Sequence, residues 1–483
     1  MLVKALVAGL AVASPALAFF RLPCDNILIQ ERADPIISPG EVAGHVHTVV
    51  GGSNFGLNAT YADLRSSECT SCHAKADLSA YWTPQLYIHW ANGTYSSVPQ
   101  TGSGLIYYLF RDNPSDTTNV TAFPEGLKMT AGNPFRRTYN ESNLEEQAIG
   151  WNCLGSAPPT RVPRLPQVNC PDGLRGEIRF PSCWDGTNLY KSDQSHMAYS
   201  DGETGPCPST HPVRIVTLFY EIMYSIDPLK DDWAEAMDPN SPFVLAMGDA
   251  TGYGYHGDFL NGWDVPTLQK AVEVCTADSG VIEDCPVLEL YNRTESGNCF
   301  KTPDVNEIVM GNVESLPGCN PITETEAQAL AATCPNLEEP SVFSHPVVYN
   351  GTYPPPVAKE VLKGTPTTVL SYQGYKYIGC FSDSADRTFP TQLTIAEQTV
   401  SACLNAAKEG GYQYAGIEYF GQCYVSNTAP PVSKKISYGY CDTPCTDRSS
   451  NICGGPLALT MYRLTRTTSS RAKRHELLGL GHT

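Results

Sequence analysis

Beyond residue 18 the chain lacks any apolar run approaching the roughly 18–20 residues that a bilayer-crossing helix needs. A transmembrane anchor is therefore not expected. Positive charge is scarce: Lys and Arg total 32 against 50 Asp and Glu, for a formal net charge of -18. That field repels nucleic acid and anionic membranes, so neither is an expected partner. Charge of either sign is thin at 17% of residues, while Gly numbers 40 and Pro 38, the composition of a turn-rich chain. Neither H-E-x-x-H nor G-x-S-x-G occurs, which removes two specific signatures of hydrolytic chemistry. No internal repeat is present.

Residues 1–18 place Lys4 before an apolar stretch that ends Ala16-Leu17-Ala18, the pattern of a cleaved signal peptide. Export puts the 18 cysteines in an oxidising compartment, where most should pair. Asn58, Asn92, Asn119, Asn140, Asn292 and Asn350 stand in N-x-S/T triplets, so a secreted, glycosylated protein is expected. Twelve cysteines lie between Cys24 and Cys334 and six between Cys380 and Cys453. This spacing divides the chain into a large domain at 19–334, a proline-bearing linker at 335–373, a small domain at 374–464 and a Ser/Thr- and Lys/Arg-rich tail at 465–483. The large domain reads mainly as strands, at 85–90, 105–110, 176–180, 213–226 and 243–247. Asp264 is positioned to cap a helix over 266–274, and Thr323-x-x-Glu326 reads as a capping box opening 327–332. The expected class is α+β but mainly β: a large disulfide-rich, sandwich-like domain, then a small disulfide-stapled one with one or two helices.

The small domain carries Tyr377-Ile378-Gly379-Cys380-Phe381, then Cys403 in a helical stretch preceded by Thr394-x-x-Glu397. Tyr414-Ala415-Gly416-Ile417-Glu418-Tyr419, Gln422-Cys423-Tyr424, Cys441, Cys445 and Cys453-Gly454-Gly455 follow. This region, 375–463, resembles the WSC family. The resemblance implies glycan binding on a disulfide scaffold, with wall β-glucan or a similar polysaccharide as the partner. Family members usually carry eight cysteines. Here one position reads Val425 and another falls near Thr399, so the resemblance implies three bridges among Cys380, Cys403, Cys423, Cys441, Cys445 and Cys453. Aromatic faces bind the apolar side of sugar rings, which makes Tyr375, Tyr377, Tyr414, Tyr419 and Tyr424 candidate contacts; the alternative is that they pack the small core.

The large domain carries Gly44-His45-Val46-His47, Ala80-Tyr81-Trp82-Thr83-Pro84, Phe180-Pro181-Ser182-Cys183-Trp184, Ser195-His196-Met197, Cys207-Pro208-Ser209-Thr210-His211 and His256-Gly257-Asp258-Phe259. It resembles a fungal domain of unknown function that often precedes WSC domains, and this resemblance implies no activity. The histidines are informative by themselves. On a strand, His45 and His47 face one side, as do His256 and Asp258. His45, His47 and His211 are candidate ligands of Zn²⁺ or a similar divalent ion. His196, His256 and Asp258 are candidate general acid or base groups, with Asp185 and Asp193 able to converge. The competing reading is a set of imidazoles that hydrogen-bond loops in place.

Cys69-Thr70-Ser71-Cys72-His73 matches a haem-attachment spacing, but among so many cysteines separate disulfide partners are expected. Three functional readings remain open from the sequence. The first is a secreted, wall-associated monomer that binds polysaccharide. The second is a glycan-active hydrolase or related enzyme targeted by the WSC unit. The third is a non-catalytic structural matrix protein.

Overall fold

The computed structural model describes residues 19–465, except 102, 111–118, 157–160, 203, 298, 302, 306, 308, 311, 336, 338, 343–347, 351–367, 385–386, 419–420, 437–440, 442, 444, 446–450 and 456. The expected leader, most of the expected linker and nearly all of the tail lie outside the described residues. The chain divides into two compact units between residues 366 and 367, with 436–442 grouping with the first.

The first unit is built on two antiparallel sheets. The six-stranded sheet runs in the order Phe19–Cys24, Gly104–Leu109, Thr217–Tyr224, Leu174–Arg179, Ile149–Cys153 and Arg161–Val162. The five-stranded sheet runs Ile29–Glu31, His47–Gly51, Ala80–Pro84, Gly257–Leu260 and Lys128–Ala131. Phe20, Ile106, Tyr108, Ile178, Leu218 and Tyr220 of the first share one core with Val50, Tyr81, Met129 and Phe259 of the second.

Burial distinguishes the sheets. Phe19–Cys24 and Thr217–Tyr224 alternate buried with partly exposed residues, as strands with one solvent-facing side do. His47–Gly51, Ala80–Pro84 and Gly257–Leu260 are buried at every position. Their second face is covered by loop residues including Leu28, Ile36, Phe55 and Leu57 and by Leu64 of the short Tyr61–Arg65 helix, which pack on Val49, Trp82 and Leu260. Polar residues on this covered face must therefore find partners inside the protein.

Four of the expected strands sit within a few residues of observed ones. The expected strand at 213–226 is two. Val213–Arg214 pairs with Cys183–Trp184, and Thr217–Tyr224 belongs to the six-stranded sheet. At Ile215 and Val216 the backbone changes partners, donating to the carbonyls of Ser182 and Thr121. The Val265–Val274 helix is capped by Asp264, whose carboxylate accepts from Thr267 N at 3.1 Å. The other expected capping box is displaced. Thr325, not Thr323, caps Glu326–Leu330 with Gln328 as its partner, because Thr323 Oγ1 is engaged by Arg137 Nε at 3.2 Å.

Six bridges staple this unit: Cys24–Cys72, Cys69–Cys299, Cys153–Cys170, Cys183–Cys207, Cys275–Cys285 and Cys319–Cys334. Cys69 and Cys72 thus have separate partners, and His73 Nε2 lies 2.5 Å from Asp25 Oδ2.

In the second unit the sheet order is Ser371–Tyr372, Tyr375–Ser382, Ala458–Leu464, Tyr414–Glu418, Gln422–Ser426 and Thr391–Leu393. The Val400–Glu409 helix buries Val400, Cys403, Leu404 and Ala407, an i, i+3, i+4, i+7 stripe. Its cap is Thr399, which accepts from Ala402 N at 2.9 Å; the expected box at Thr394 and Glu397 lies one turn too early. Cys403–Cys423 fastens the helix to the sheet, Cys445 pairs with Cys453, and Cys380 and Cys441 are also disulfide-bonded. No cysteine among the described residues is free.

Between the two sheets of the first unit lies a buried polar chain. Trp263 Nε1 donates to the Tyr108 hydroxyl at 2.7 Å, Tyr108 and Tyr81 share a hydroxyl contact, and Tyr81 donates to Asp77. Tyr108→Phe strands the Trp263 N–H and should cost about 1–3 kcal/mol. Chemical denaturation of the full chain measures this, and an unchanged midpoint would show that the network adds nothing to stability.

Candidate functional site

The site is on the loop-covered face of the five-stranded sheet. His47 opens its strand opposite Pro84, and Asp258 stands opposite Trp82 on the other side of the Ala80–Pro84 strand. Counting back two residues puts His256 level with Pro84. His47 and His256 therefore flank Pro84 on one face, and the two-residue spacing adds His45 and Asp258 to it. Ring centroids are 4.4 Å apart for His45–His47, 5.0 Å for His45–His256 and 5.8 Å for His47–His256. Gly132 lets the chain reach this packing. Its φ is +92°, and a Cβ there would lie 2.6 Å from Tyr255 O and 3.0 Å from His256 Cα.

Two backbone carbonyls set the tautomers. His47 Nδ1–H donates to Ala33 O at 3.0 Å, and His256 Nδ1–H donates to Gly254 O at 2.9 Å. In the neutral ring this leaves a bare lone pair on each Nε2. His256 Nε2 lies 3.1 Å from His45 Nε2, and His47 Nε2 is buried without a hydrogen-bond partner. Asp258 Oδ1 accepts from Thr130 Oγ1 at 2.7 Å, while its Oδ2 is buried and unpartnered. Asp34 joins this group, its Oδ1 accepting from Ile36 N and Ile37 N at 2.9 and 3.0 Å. Ligand-capable atoms of His45, His47 and His256 lie within 4.8 Å of one another, and so do those of Asp34, His47 and Asp258.

Burial governs the charge states. It pushes the His47 and His256 imidazoles down to about 4, with His47 adding to the effect at His256. His45 is pushed well below 6.5 by burial and by its two histidine neighbours. Burial, then the charge of Asp34, raises the Asp258 carboxyl well above its ordinary range, and burial raises Asp34. At neutral pH the group presents uncharged imidazoles beside two carboxyls whose ionised forms burial disfavours.

The structure thus brings together His45, His47, His256 and Asp258 and leaves His196 and His211 apart. His196 Nε2 donates to Lys128 O at 2.7 Å. His211 is partly exposed, with Nε2 3.0 Å from Ser195 O. Asp185 and Asp193 lie near His196, where both charges act on its ring, and each carboxylate holds a local turn, at Thr187–Asn188 and at Ser195. Asp34 was not legible as a member, because it lies in an aperiodic loop and only the fold carries it to the strands.

In the WSC-like unit Tyr375 is fully buried, its hydroxyl donating to Tyr412 O at 2.6 Å, and Tyr424 is also buried. Neither offers a free ring face. Tyr377 and Tyr414 are partly exposed. Tyr419 and the side chain of Asn350 lie outside the described residues. Asn58, Asn92, Asn119, Asn140 and Asn292 are exposed.

Comparison with known proteins places these observations. Residues 34–263 match the domain of unknown function DUF1996, and residues 377–455 match the WSC domain. Xylosyltransferase oxt of Drosophila melanogaster is 31% identical over 88 residues, 18% of this chain and 10% of its own. A WSC domain-containing protein of Arthroderma benhamiae is 30% identical over 91 residues, 18% of this chain and 12% of its own. The chain thus spans about a tenth of the length of these two relatives. A Chaetomium globosum protein named as a fungistatic metabolite is 23% identical over 236 residues, 46% of this chain and 98% of its own.

The depressed imidazoles predict an acid-sensitive fold. Unfolded, His47 and His256 take up protons near 6.5; folded, only near about 4. Between these values the unfolded chain holds more protons, so stability falls as pH drops through that window. The slope is at most about 1.4 kcal/mol per pH unit for each imidazole. Asp258 and Asp34, raised by folding, act in the opposite sense, so the informative quantity is a difference. A His47→Gln/His256→Gln variant should show a shallower loss of melting temperature between pH 6.5 and 4 than the wild type; equal slopes would mean that these rings are not held neutral.

Proposed function

We propose, for a chain in which a DUF1996 domain at 34–263 precedes a WSC domain at 377–455, an extracellular polysaccharide-binding protein held on its glycan by the WSC unit. The observation that carries this reading is the WSC domain itself. The paired cysteines and the five exposed sequon asparagines fit a secreted, glycosylated chain in an oxidising compartment. Among the described residues no helix is long and apolar enough to cross a membrane.

The sheet face opposite the Val400–Glu409 helix is the favoured contact surface. Tyr414 pairs with Ser426 on one side and Arg463 on the other, and Lys376 stands opposite Arg463, so these side chains share that face. Tyr414 supplies an apolar plane, and exposed Arg463 and Lys376 supply donors for sugar hydroxyls. Buried Tyr424 supports the face from within, its ring under the Arg387 guanidinium at 4.7 Å and its hydroxyl on Gln422 Oε1 at 2.9 Å.

A second reading is favoured by one observation, the unpartnered His47 Nε2 and Asp258 Oδ2 in the first unit. In it the DUF1996 domain is a hydrolase or related enzyme acting on the glycan that the WSC unit holds, with His256 and Asp258 nearest the reaction. Soluble oligosaccharide released by the wild type but not by Asp258→Asn would favour it.

The full chain should be retained by insoluble β-glucan. Affinity should be modest, because sugar hydroxyls trade water hydrogen bonds for protein ones at small net gain. Tyr414→Ala should lower retention several-fold with the melting profile preserved. Retention undiminished in that variant would remove the face from the interaction, and no retention on any wall polysaccharide would overturn the binding reading.

A further inference from the structure

We infer that the first unit binds one divalent first-row transition-metal ion through Nε2 of His45, His47 and His256, with the carboxylates of Asp34 and Asp258 beside it to complete its shell and balance its charge. This goes beyond the glycan-binding reading and does not depend on it.

Two of the ligand-capable atoms have no hydrogen-bond partner. Burying an unpaired acceptor costs about 1–3 kcal/mol; one such nitrogen stands alone at His196 Nδ1, but here two unpartnered atoms fall in one cluster. His47 is fully buried, yet its Nε2 faces no donor. Asp258 is 1% exposed, and its Oδ2 is equally unpartnered. Both belong to groups whose ligand-capable atoms lie within 4.8 Å of one another. A cation supplies what the His47 lone pair and the Asp258 oxygen lack, and would replace the proton that His256 Nε2 shares with His45 Nε2 at 3.1 Å.

The surroundings have the form that metal sites require. An imidazole ligand typically donates its other N–H to a carbonyl or carboxylate, which fixes the ring and its tautomer. His47 does this to Ala33 O and His256 to Gly254 O. Both carbonyls come from loops whose place is set by the covered face of the sheet. Asp34 and Asp258 would bring two negative charges into a buried site, and a divalent ion balances both.

The donor set selects the ion class. Three imidazole nitrogens with carboxylate oxygens suit Zn²⁺ and its first-row neighbours. Ca²⁺ and Mg²⁺ take oxygen ligands almost alone, and Cu⁺ favours sulfur. Every described cysteine is disulfide-bonded, so no thiolate competes. His45 is partly exposed where His47 and His256 are buried, which marks the side of the site nearest solvent.

The test is metal content of the full chain, produced with its disulfides and dialysed against metal-free buffer after one exposure to Zn²⁺. Elemental analysis should find about one equivalent retained, lost to a strong chelator with a fall in melting temperature. Co²⁺ put in its place should give visible d–d absorption, a readout that needs no variant. His256→Ala and the half-buried His45→Gln should each cut retained zinc at least tenfold, while His211→Ala, outside the group, should keep it. Zinc well below one equivalent in the wild type, with no Co²⁺ absorption and no chelator effect on melting, would overturn the inference. So would full retention by both His45→Gln and a folded His256→Ala.

Discussion

Two hydrogen bonds, from His47 Nδ1–H to the Ala33 carbonyl and from His256 Nδ1–H to the Gly254 carbonyl, decide what the first unit can do. They exist because the five-stranded sheet is buried on both faces. Polar side chains there cannot turn to water, and each must be satisfied by whatever backbone the covering loops bring near. Satisfying Nδ1 makes each Nε2 an acceptor: His47 Nε2 has no partner, and His256 Nε2 meets His45 Nε2 at 3.1 Å. His45, by its two-residue spacing, completes the trio. The chemistry of the site follows from sheet burial, strand register and two carbonyls.

The covering layer has to hold its loops in place for this to work, and the chain has few long helices with which to do so. Disulfides take that role. Cys69–Cys299 ties the loop before the Ala80–Pro84 strand to a segment 230 residues away, and Cys299 packs in the covering cluster with Phe55 and Leu64. A turn-rich chain that buries a polar face thus depends on cross-links for loop geometry as well as for stability. The second unit uses the same device on a smaller scale, with Cys403–Cys423 pinning one helix against one face of its sheet, while Phe381 and Phe389 pack with Tyr424, Leu459 and Met461 on the other.

Much of this was legible in the sequence, for reasons that can be named. Cysteine spacing separated the two units. H-x-H and H-x-D carry the period of a strand, so which histidines share a face could be read without a structure. Asp264 identified its helix because an N-cap is a local interaction. What was not legible is non-local. Asp34 enters the site from an aperiodic loop. His196 and His211 resemble the others in their polar, Gly-rich contexts, yet they bond Lys128 O and Ser195 O, partners that only the fold supplies. Thr323 and Thr394 both open a T-x-x-E pattern ahead of a helix, yet Thr325 and Thr399 take the caps. Tyr375 and Tyr424 show the same limit: a tyrosine on a strand reads alike whether its ring meets a sugar or the core.

The claim on which all this rests is that His47 and His256 are neutral rings with their proton on Nδ1 and an unprotonated Nε2. Selective ¹⁵N labelling of histidine and NMR of the chelator-treated full chain near pH 6 observes this directly. Both rings should carry their proton on Nδ1, and neither should become charged until the pH approaches about 4. Protons on Nε2, or rings already charged at pH 6, would contradict it.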